Sequence, residues 1–366
     1  MNKKLTIFIY SPSDAPCHAY TPDVLWGKGM GGAEQSAVIL MKALAERGHN
    51  VLVYNNVTTE GVWDGVQYHP KASLPLRPDA LPILPVPDIF ILYRAPAPVL
   101  TQYVRILWPQ TKIVAWSTDQ VTEGNYMGWI RDVDWVVTIS EFHTEFFKQH
   151  YATHPTLSHK ISHIDLPINV TDYEVFNAAP RNNIFLWSSQ ATRGLDLVAQ
   201  AWPMIRAELP DASLIVTADH RLWGVDYEGN DKYKLLCSGI EGIAFFGAIP
   251  RAQLIKWQKV SKLQLSSLTY DELFCISVME AQAAGCIPVV GSKGALPTTT
   301  MMGECVYGDP QSDAWLEKWV ARVVHWARRD DLHYRARDAH ELAMRRCHPV
   351  SIAAQWEKLF GDLILA

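Results

Sequence analysis

Short apolar runs alternate with longer amphipathic segments from the first residues onward, and this alternation predicts an α/β fold. Residues 5–10 form an apolar run with the length of a buried parallel strand. Residues 33–47 repeat their apolar side chains at helical spacing, and Gly48 is a typical helix stop. Four further runs with strand character follow in this half of the chain: residues 51–54, 89–92, 113–116 and 135–139.

A second series of the same kind begins near residue 182. Polar and proline-containing residues interrupt the pattern between 168 and 182, so we place a domain boundary there. We expect two parallel-sheet domains, covering residues 1–170 and 171–349. The second series predicts strands at 184–187, 214–216, 243–246, 263–265 and 287–290, and helices at 276–284, 315–329 and 351–363.

Composition narrows the class of protein. A length of 366 residues suits two α/β domains, and the net charge of −5 argues against a nucleic-acid surface, although it leaves a local basic groove open. Six cysteines are scattered without a Cys-x-x-Cys pair, which favours a reducing, cytoplasmic location. No run approaches the length of a membrane span, while peripheral membrane contact remains open.

A glycine-rich loop precedes the first predicted helix. Gly27, Gly29 and Gly32 formally match Gly-x-Gly-x-x-Gly, but residues 11–26 separate this loop from the first strand. The second strand ends at Asn55 rather than at the acidic residue that would hold a dinucleotide ribose. The pattern therefore disfavours a dinucleotide site.

Gly31 and Gly32 still fit a phosphate. Their backbone allows a close approach, and a helix that starts there presents free N–H groups and the positive end of its dipole. The alternative is a flexible loop that leads into a helix.

Two glutamates separated by seven residues are the stronger signal. Glu272 follows a predicted strand, and Glu280 lies within the next helix, whose first turn carries N–H groups without helical partners. Carboxylates accept hydrogen bonds strongly from sugar hydroxyls, and the helix start suits phosphate oxygens. Taken alone, the pair could also be two surface glutamates on an ordinary αβ unit.

This segment resembles the Glu-x7-Glu signature of the retaining glycosyltransferases of family 4, whose fold is called GT-B. Other positions resemble the same family in the same order along the chain: Gly31-Gly32-Ala33-Glu34, Ser140-Glu141-Phe142, Arg193-Gly194 and Phe246-Gly247. The resemblance implies two Rossmann-like domains that face a central cleft, with the C-terminal helix, about 350–366, crossing back to the N-terminal domain.

The resemblance also implies roles. The C-terminal domain would bind a nucleotide-diphosphate sugar: Glu280 the ribose, Glu272 the sugar and Arg193 the diphosphate. Backbone and side-chain groups around the donor would come from Phe274, Cys275, Ile276, Ser277, Ser189, Gly31 and Gly32.

The N-terminal domain would bind the acceptor, a glycan or glycoconjugate, through loops at 11–30, 56–75 and 116–130. Candidate acceptor residues are Thr118, Ser140, Tyr20 and Trp26, and Asp119 is a candidate catalytic or hydroxyl-binding residue.

The chain departs from the family in two places. Ser189 lies near the position where many members carry a basic residue, and Thr118 replaces the histidine of a Trp-x-His-Asp stretch. We expect no required cofactor or metal, because the Asp132-Val133-Asp134 motif precedes a strand and lies away from the implied site. An NAD(P)-dependent oxidoreductase, a sugar-nucleotide epimerase and a non-catalytic carbohydrate-binding protein remain alternatives.

Overall fold

The computed structural model describes most of the chain, and its residues group into two compact units. The described residues are 4–12, 19–74, 85–120, 130–151, 155–217, 219–223, 229–266 and 268–365, so parts of the predicted acceptor loops lie outside them. The first unit comprises Met1–Val24, Ala33–Pro167 and Pro349–Ala366. The second comprises Leu25–Gly32 and Ile168–His348.

The first unit is built on an eight-stranded sheet with the order β3-β4-β2-β1-β5-β6-β7-β8. Its strand pairs are parallel except for the β3–β4 hairpin. The first strand lies in the interior of the sheet, and the strand order reverses between β1 and β5. In open α/β sheets such a reversal point is where ligands commonly bind, at the carboxyl ends of the strands. The strands are β1 Thr6–Tyr10, β2 Asn50–Asn55, β3 Gly61–Trp63, β4 Val66–Pro70, β5 Ile89–Tyr93, β6 Lys112–Trp116, β7 Trp135–Thr138 and β8 Ile161–His163.

The second unit has a six-stranded, fully parallel sheet with the order β11-β10-β9-β12-β13-β14. This is the doubly wound order, and its reversal lies between β9 and β12. The strands are β9 Ile184–Trp187, β10 Ser213–Val216, β11 Ile243–Phe245, β12 Leu263–Ser266, β13 Ile287–Gly291 and β14 Glu304–Val306.

Helices connect most of these strands, as parallel pairing requires. Numbered over the described residues, they are α1 Pro22–Gly27, α2 Gly32–Glu46, α3 Pro98–Leu107, α4 Glu141–Tyr151, α5 Leu195–Glu208, α6 Gly229–Ser238, α7 Arg251–Val260, α8 Ile276–Ala283, α9 Leu296–Thr299, α10 Asp313–Ala327, α11 Leu332–Arg346 and α12 Pro349–Leu365.

Each unit has its own apolar core, since strands covered on both faces bury nearly every side chain. In the first unit Phe8, Phe90 and Trp108 pack together. In the second, Phe185 and Trp202 form an edge-to-face pair within a larger cluster. Two parallel-sheet α/β units are the architecture that the apolar pattern predicted.

The C-terminal helix α12 packs in the first unit. Trp356 on this helix meets Trp116 of β6 with ring centroids 5.2 Å apart. Glu357 accepts hydrogen bonds from Arg47 Nε at 2.8 Å and from His49 Nε2 at 2.9 Å. A buried carboxylate thus joins two ends of the sequence that are 308 residues apart.

Candidate active site

The reversal point of the second sheet brings together two loops that carry predicted site residues. Ser189 and Arg193 follow β9, and the loop with Glu272 follows β12. The carbonyl of Arg193 accepts the N–H of Leu268 at 2.8 Å, which ties the two loops to each other. Gly194, with a φ of +112°, ends the single helical turn of Arg193 and leaves no room for a side chain, because a Cβ would lie 2.9 Å from the Cβ of Leu268.

Arg193 and Glu272 form an ion pair at this point. The Nη1 of Arg193 lies 2.6 Å from the Oε1 of Glu272, and the carboxylate is almost fully buried. The guanidinium lies over the ring of Tyr270, 4.5 Å from its centroid. Burial opposes the charge of Arg193, but Glu272, together with Cys275 and Tyr270, raises the pKa of Arg193 above its usual value. The site therefore holds a permanent cation beside a carboxylate.

The backbone of Glu272 is fixed by the loop after β13. The carbonyl of Glu272 accepts the N–H of Ala295 at 2.7 Å, and Glu272 forms a parallel bridge with Gly294. A Cβ at Gly294 would lie 2.2 Å from that carbonyl oxygen. A glycine is therefore needed for the two loops to approach this closely.

Helix α8 begins beside this pair after a residue in an unusual conformation. Cys275 has a φ of +67°, which is rare for a residue with a side chain and occurs preferentially at functional sites. The carbonyl of Phe274, just before it, accepts the hydroxyl of Thr299 at 2.6 Å. Burial raises the pKa of the Cys275 thiol to about 12, so the thiol stays protonated at neutral pH.

Hydroxyl groups line the approach to this helix start. The Oγ of Ser189 lies 3.1 Å from the Oγ of Ser277 and also contacts the hydroxyl of Ser266. The Oγ of Ser277 is 3.4 Å from the sulfur of Cys275. The first N–H groups of α8, at Ile276 and Ser277, precede the first intrahelical bond and suit an anion. Ser189 thus places a hydroxyl group beside the start of α8.

Glu280, the second predicted glutamate, is buried and held by residues that the sequence did not indicate. Its Oε1 accepts from Arg251 Nη2 at 2.7 Å, and the same guanidinium donates to Oδ2 of Asp172 at 2.6 Å from Nη2 and 3.0 Å from Nε. Arg251 and Asp172 lie 29 and 108 positions from Glu280 in the sequence, and neither belongs to a recognisable motif.

The glycine-rich segment groups with the second unit. A Cβ on Gly32 would lie 2.2 Å from Cγ2 of Ile276, so Gly32 lies close to the first residue of α8 within this unit. Gly31 is buried. Trp26 is 44% exposed. The guanidinium carbon of Arg251 lies over the Trp26 ring, 5.6 Å from the centroid of that ring. Trp26 was predicted as an acceptor residue, and it lies here beside the group that holds Glu280.

The first unit has a polar cluster of its own where the order of its sheet reverses. Arg94, directly after β5, has a φ of +73°. Its Nε and Nη2 donate to the two carboxylate oxygens of Asp119, at 2.8 Å and 2.7 Å, and its Nη1 donates to Glu34 near the start of α2. Burial opposes the charge, but Glu34 and Asp119 raise the pKa of Arg94 well above its usual value. Arg94 and Glu34 were not predicted as site residues.

The remaining predicted acceptor residues lie in the first unit and have different surroundings. Thr118, next to Asp119, has a buried hydroxyl without a hydrogen-bond partner among the described residues. Ser140 caps α4, since its Oγ accepts the N–H of His143 at 3.0 Å. Tyr20 is 4% exposed, and its hydroxyl lies 2.6 Å from that of Ser11. The hydroxyl of Thr118 thus lacks a partner among the described residues, whereas the hydroxyls of Ser140 and Tyr20 already have local partners.

The Asp132-Val133-Asp134 motif has a local structural role. Oδ2 of Asp134 accepts from Arg105 Nη2 and from the N–H of Ile113, both at 2.7 Å. Across the described residues, the structure contains no group of three or more histidine, cysteine or acidic side chains that could hold a metal ion. Nor does that part of the chain include a helix long and apolar enough to cross a membrane.

One family model matches the segment that carries this site. Residues 172–338 match the family model described as glycosyl transferases group 1. This segment of the second unit is therefore similar to the glycosyl transferases group 1. The match includes Asp172, Arg193, Arg251, Glu272 and Glu280. No curated protein matches the chain.

Solved structures extend the likeness beyond residues 172–338. A glycosyltransferase from Rickettsia africae ESF-5 shares 15% identity and a TM-score of 0.73, over 99% of each chain. The catalytic domain of starch synthase IV from Arabidopsis thaliana, solved with ADP and acarbose, shares 12% identity and a TM-score of 0.73 over the whole of both chains. HepE from Anabaena, solved with UDP and glucose, shares 14% identity and a TM-score of 0.68, over 98% of this chain and 100% of that one. These likenesses confirm the predicted GT-B fold class.

Proposed function

We propose that the chain is a retaining glycosyltransferase of the family 4 type, which moves a sugar from a nucleotide-diphosphate sugar to an acceptor hydroxyl. The observation that carries the proposal is the Arg193–Glu272 pair beside the start of α8, at the reversal point of the second sheet. A cation and free helix N–H groups suit a diphosphate, and the adjacent carboxylate suits a sugar hydroxyl. Two of the structural neighbours are complexes with UDP or ADP, which agrees with this class of donor.

In the proposed reaction, the bond between the anomeric carbon and the diphosphate oxygen breaks, and its electron pair leaves with the diphosphate. The acceptor oxygen attacks the anomeric carbon from the same face. Its proton passes to the departing diphosphate, so charge and atoms balance without a protein nucleophile. Arg193, the start of α8 and the loop at Gly31 and Gly32 stabilise the negative charge that develops on the diphosphate.

We assign the other donor contacts to the second unit. Glu280 binds the ribose hydroxyls, Glu272 a hydroxyl of the transferred sugar, and Ser189 and Ser277 the phosphate oxygens. Trp26 is assigned to the donor rather than the acceptor, because it lies over Arg251 in this unit. A required metal is not part of this mechanism, and a cytoplasmic location stays a prediction.

We assign acceptor binding to the first unit. Both carboxylate oxygens of Asp119 accept hydrogen bonds from Arg94, which fixes the orientation of the carboxylate. It therefore positions a hydroxyl of the acceptor or sugar, together with the unpartnered hydroxyl of Thr118.

The oxidoreductase alternative is disfavoured by Asn55. Its Nδ2 donates to the carbonyl of Tyr20 at 2.9 Å, and its Oδ1 accepts the N–H of Val57 at the same distance. The side chain of Asn55, at the end of β2, is buried and holds the local backbone. This position therefore lacks the acidic group that would bind the ribose of a dinucleotide.

A thermal-shift panel with UDP, ADP, GDP, dTDP and NAD(P) tests the proposal. A ligand at 100 times its Kd should stabilise the protein by about 2.7 kcal/mol. We expect one nucleoside diphosphate to stabilise the wild type, and Glu280→Gln to lose most of this effect. Glu241→Gln is the matched control, since this exposed glutamate pairs with Arg206 elsewhere in the same unit. Stabilisation by NAD(P) alone would overturn the proposal.

A further inference from the structure

Glu280 belongs to a buried three-residue ion cluster whose members come from three separate elements. Asp172 lies in a short helical turn, Val170–Asp172, Arg251 opens α7, and Glu280 lies within α8. In the ion pairs that join them, Arg251, Asp172 and Glu280 have side chains that are 3%, 8% and 4% exposed. We propose that Arg251, anchored by Asp172, is a positioning residue that fixes the carboxylate of Glu280 for the ribose of the donor. This inference rests on the proposed function.

The composition of the cluster argues against a purely stabilising role. Two carboxylates share one guanidinium, and removing three charged groups from water costs several kcal/mol per ion, which a buried pair often fails to recover. Burial raises the pKa of Asp172, while Arg251 acts in the opposite direction. Apolar side chains of similar volume would fill this space at lower cost, so the charges are better explained by a task that needs them.

The geometry supplies such a task. A glutamate side chain has three rotatable bonds, and an unsupported carboxylate would sample several orientations. Here the guanidinium contacts Oε1 of Glu280 on one side and is held by two hydrogen bonds to Asp172 on the other. The carboxylate is thereby oriented before the ligand arrives, which reduces the entropy lost on binding.

The surroundings of Arg251 further restrict its movement. The indole of Trp26 lies over the guanidinium at 5.6 Å, an arrangement in which the ring face attracts the cation. Tyr173, next to Asp172, donates its hydroxyl to Oε1 of Gln258 at 2.8 Å and so ties the turn of Asp172 to α7. The guanidinium is therefore held from several directions.

The test measures how well the protein distinguishes a nucleotide with ribose hydroxyls from one without them. Isothermal titration compares the nucleoside diphosphate that binds the wild type with its 2′,3′-dideoxy counterpart. Because hydrogen bonds to a charged group are comparatively strong, we expect the wild type to bind the nucleotide with ribose hydroxyls about 10-fold to 100-fold more tightly than the dideoxy form. We expect Glu280→Gln and Arg251→Gln each to reduce this preference to about 3-fold or less, and the double variant to lose no more than either.

Controls separate positioning from folding. Arg251→Lys keeps a cation and should retain an intermediate preference, while Arg206→Gln, which removes an exposed ion pair of the same unit, should behave as wild type. If Arg251→Gln does not fold, Asp172→Asn loosens the same guanidinium and should lower the preference by a smaller factor.

Two different results would separate a failure of the positioning role from a failure of the proposed function. An Arg251→Gln protein that binds both nucleotides more weakly by the same factor, with the preference intact, would overturn the positioning role. A wild type that binds no nucleoside diphosphate would instead overturn the proposed function.

Discussion

The guanidinium of Arg193 and the carboxylate of Glu272 meet at 2.6 Å, so the cation that we assign to the diphosphate is also paired with the carboxylate that we assign to the sugar. Under this assignment, the phosphates of the donor would share Arg193 with Glu272. The two assigned roles are therefore coupled: a change at one residue alters the charge that the other presents to the donor.

Replacing Glu272 with Gln should separate the two parts of the donor. Arg193 would lose a competing charge, so affinity for a nucleoside diphosphate should stay the same or increase. Sugar transfer should fall by about 100-fold, as is typical when a contact made to the reacting part of a substrate is removed. Titration with the nucleoside diphosphate and the initial rate of its release from the sugar donor measure the two effects. Weaker binding of the nucleoside diphosphate would contradict the assignment.

His143 should make the stability of the first unit depend on pH. Burial lowers the pKa of this histidine from 6.5 to about 4, although Asp119 acts in the opposite direction. The unfolded chain binds the proton first, so stability is complete above about pH 6.5 and decreases as the pH falls towards 4. Between pH 8 and pH 5 the loss should be about 2 kcal/mol.

Urea unfolding at both pH values checks this expectation. His143→Asn should remove most of this loss, whereas replacement of the exposed His163 should leave the wild-type pH dependence in place. An unchanged pH dependence in His143→Asn would contradict the role assigned to burial.

Glu357 should stabilise the docking of the C-terminal helix. Its carboxylate is 8% exposed and is contacted by Arg47 and His49, so Glu357→Ala leaves partly buried groups without a partner. We expect a loss of about 2–3 kcal/mol in the free energy of unfolding. Lys358→Ala is the matched control on the same helix, because its pair with Asp362 is exposed and should contribute less than about 0.5 kcal/mol. Equal effects of the two variants would refute this expectation.

Gly32→Ala should disturb the nucleotide site without unfolding the protein. The added methyl group would lie 2.2 Å from Cγ2 of Ile276, so the residue that opens α8 must move. Affinity for the nucleoside diphosphate should fall by about tenfold, and Gly27→Ala, whose Cβ would meet nothing within 4 Å, should have no effect. Titration of both variants measures the difference; a Gly32→Ala protein with wild-type affinity would argue against a ligand at this helix start.

The main strands could be predicted because parallel strands covered on both faces consist of nearly continuous apolar runs. Those at 184–187 and 287–290, for example, match β9 and β13 to within a residue. The β3–β4 hairpin was missed, although Asp64-Gly65 at its turn, with φ values of +52° and +78°, is a recognisable hairpin signal. Helix α11 was missed because its buried stripe, Leu332, Ala336, Ala339 and Ala343, consists mainly of alanine.

The candidate site was predictable where its residues are close in sequence or follow neighbouring strands, as with Arg193, Glu272 and Ser189. Arg251 and Asp172 could not be found in this way, since they are 79 residues apart and only the fold brings them to Glu280. Arg94 carries no sequence signal either, because its role depends on a left-handed backbone conformation that spacing does not reveal.

The most direct test of the account is isothermal titration of the wild type and Arg193→Gln with UDP, ADP, GDP and dTDP. The account predicts that one of these nucleotides binds the wild type, and that Arg193→Gln weakens it by at least about tenfold, since a charge-assisted contact to phosphate is lost. The corresponding nucleoside, which lacks the diphosphate, should bind both proteins equally. A nucleoside diphosphate that binds wild type and Arg193→Gln with the same affinity would contradict the donor site described here.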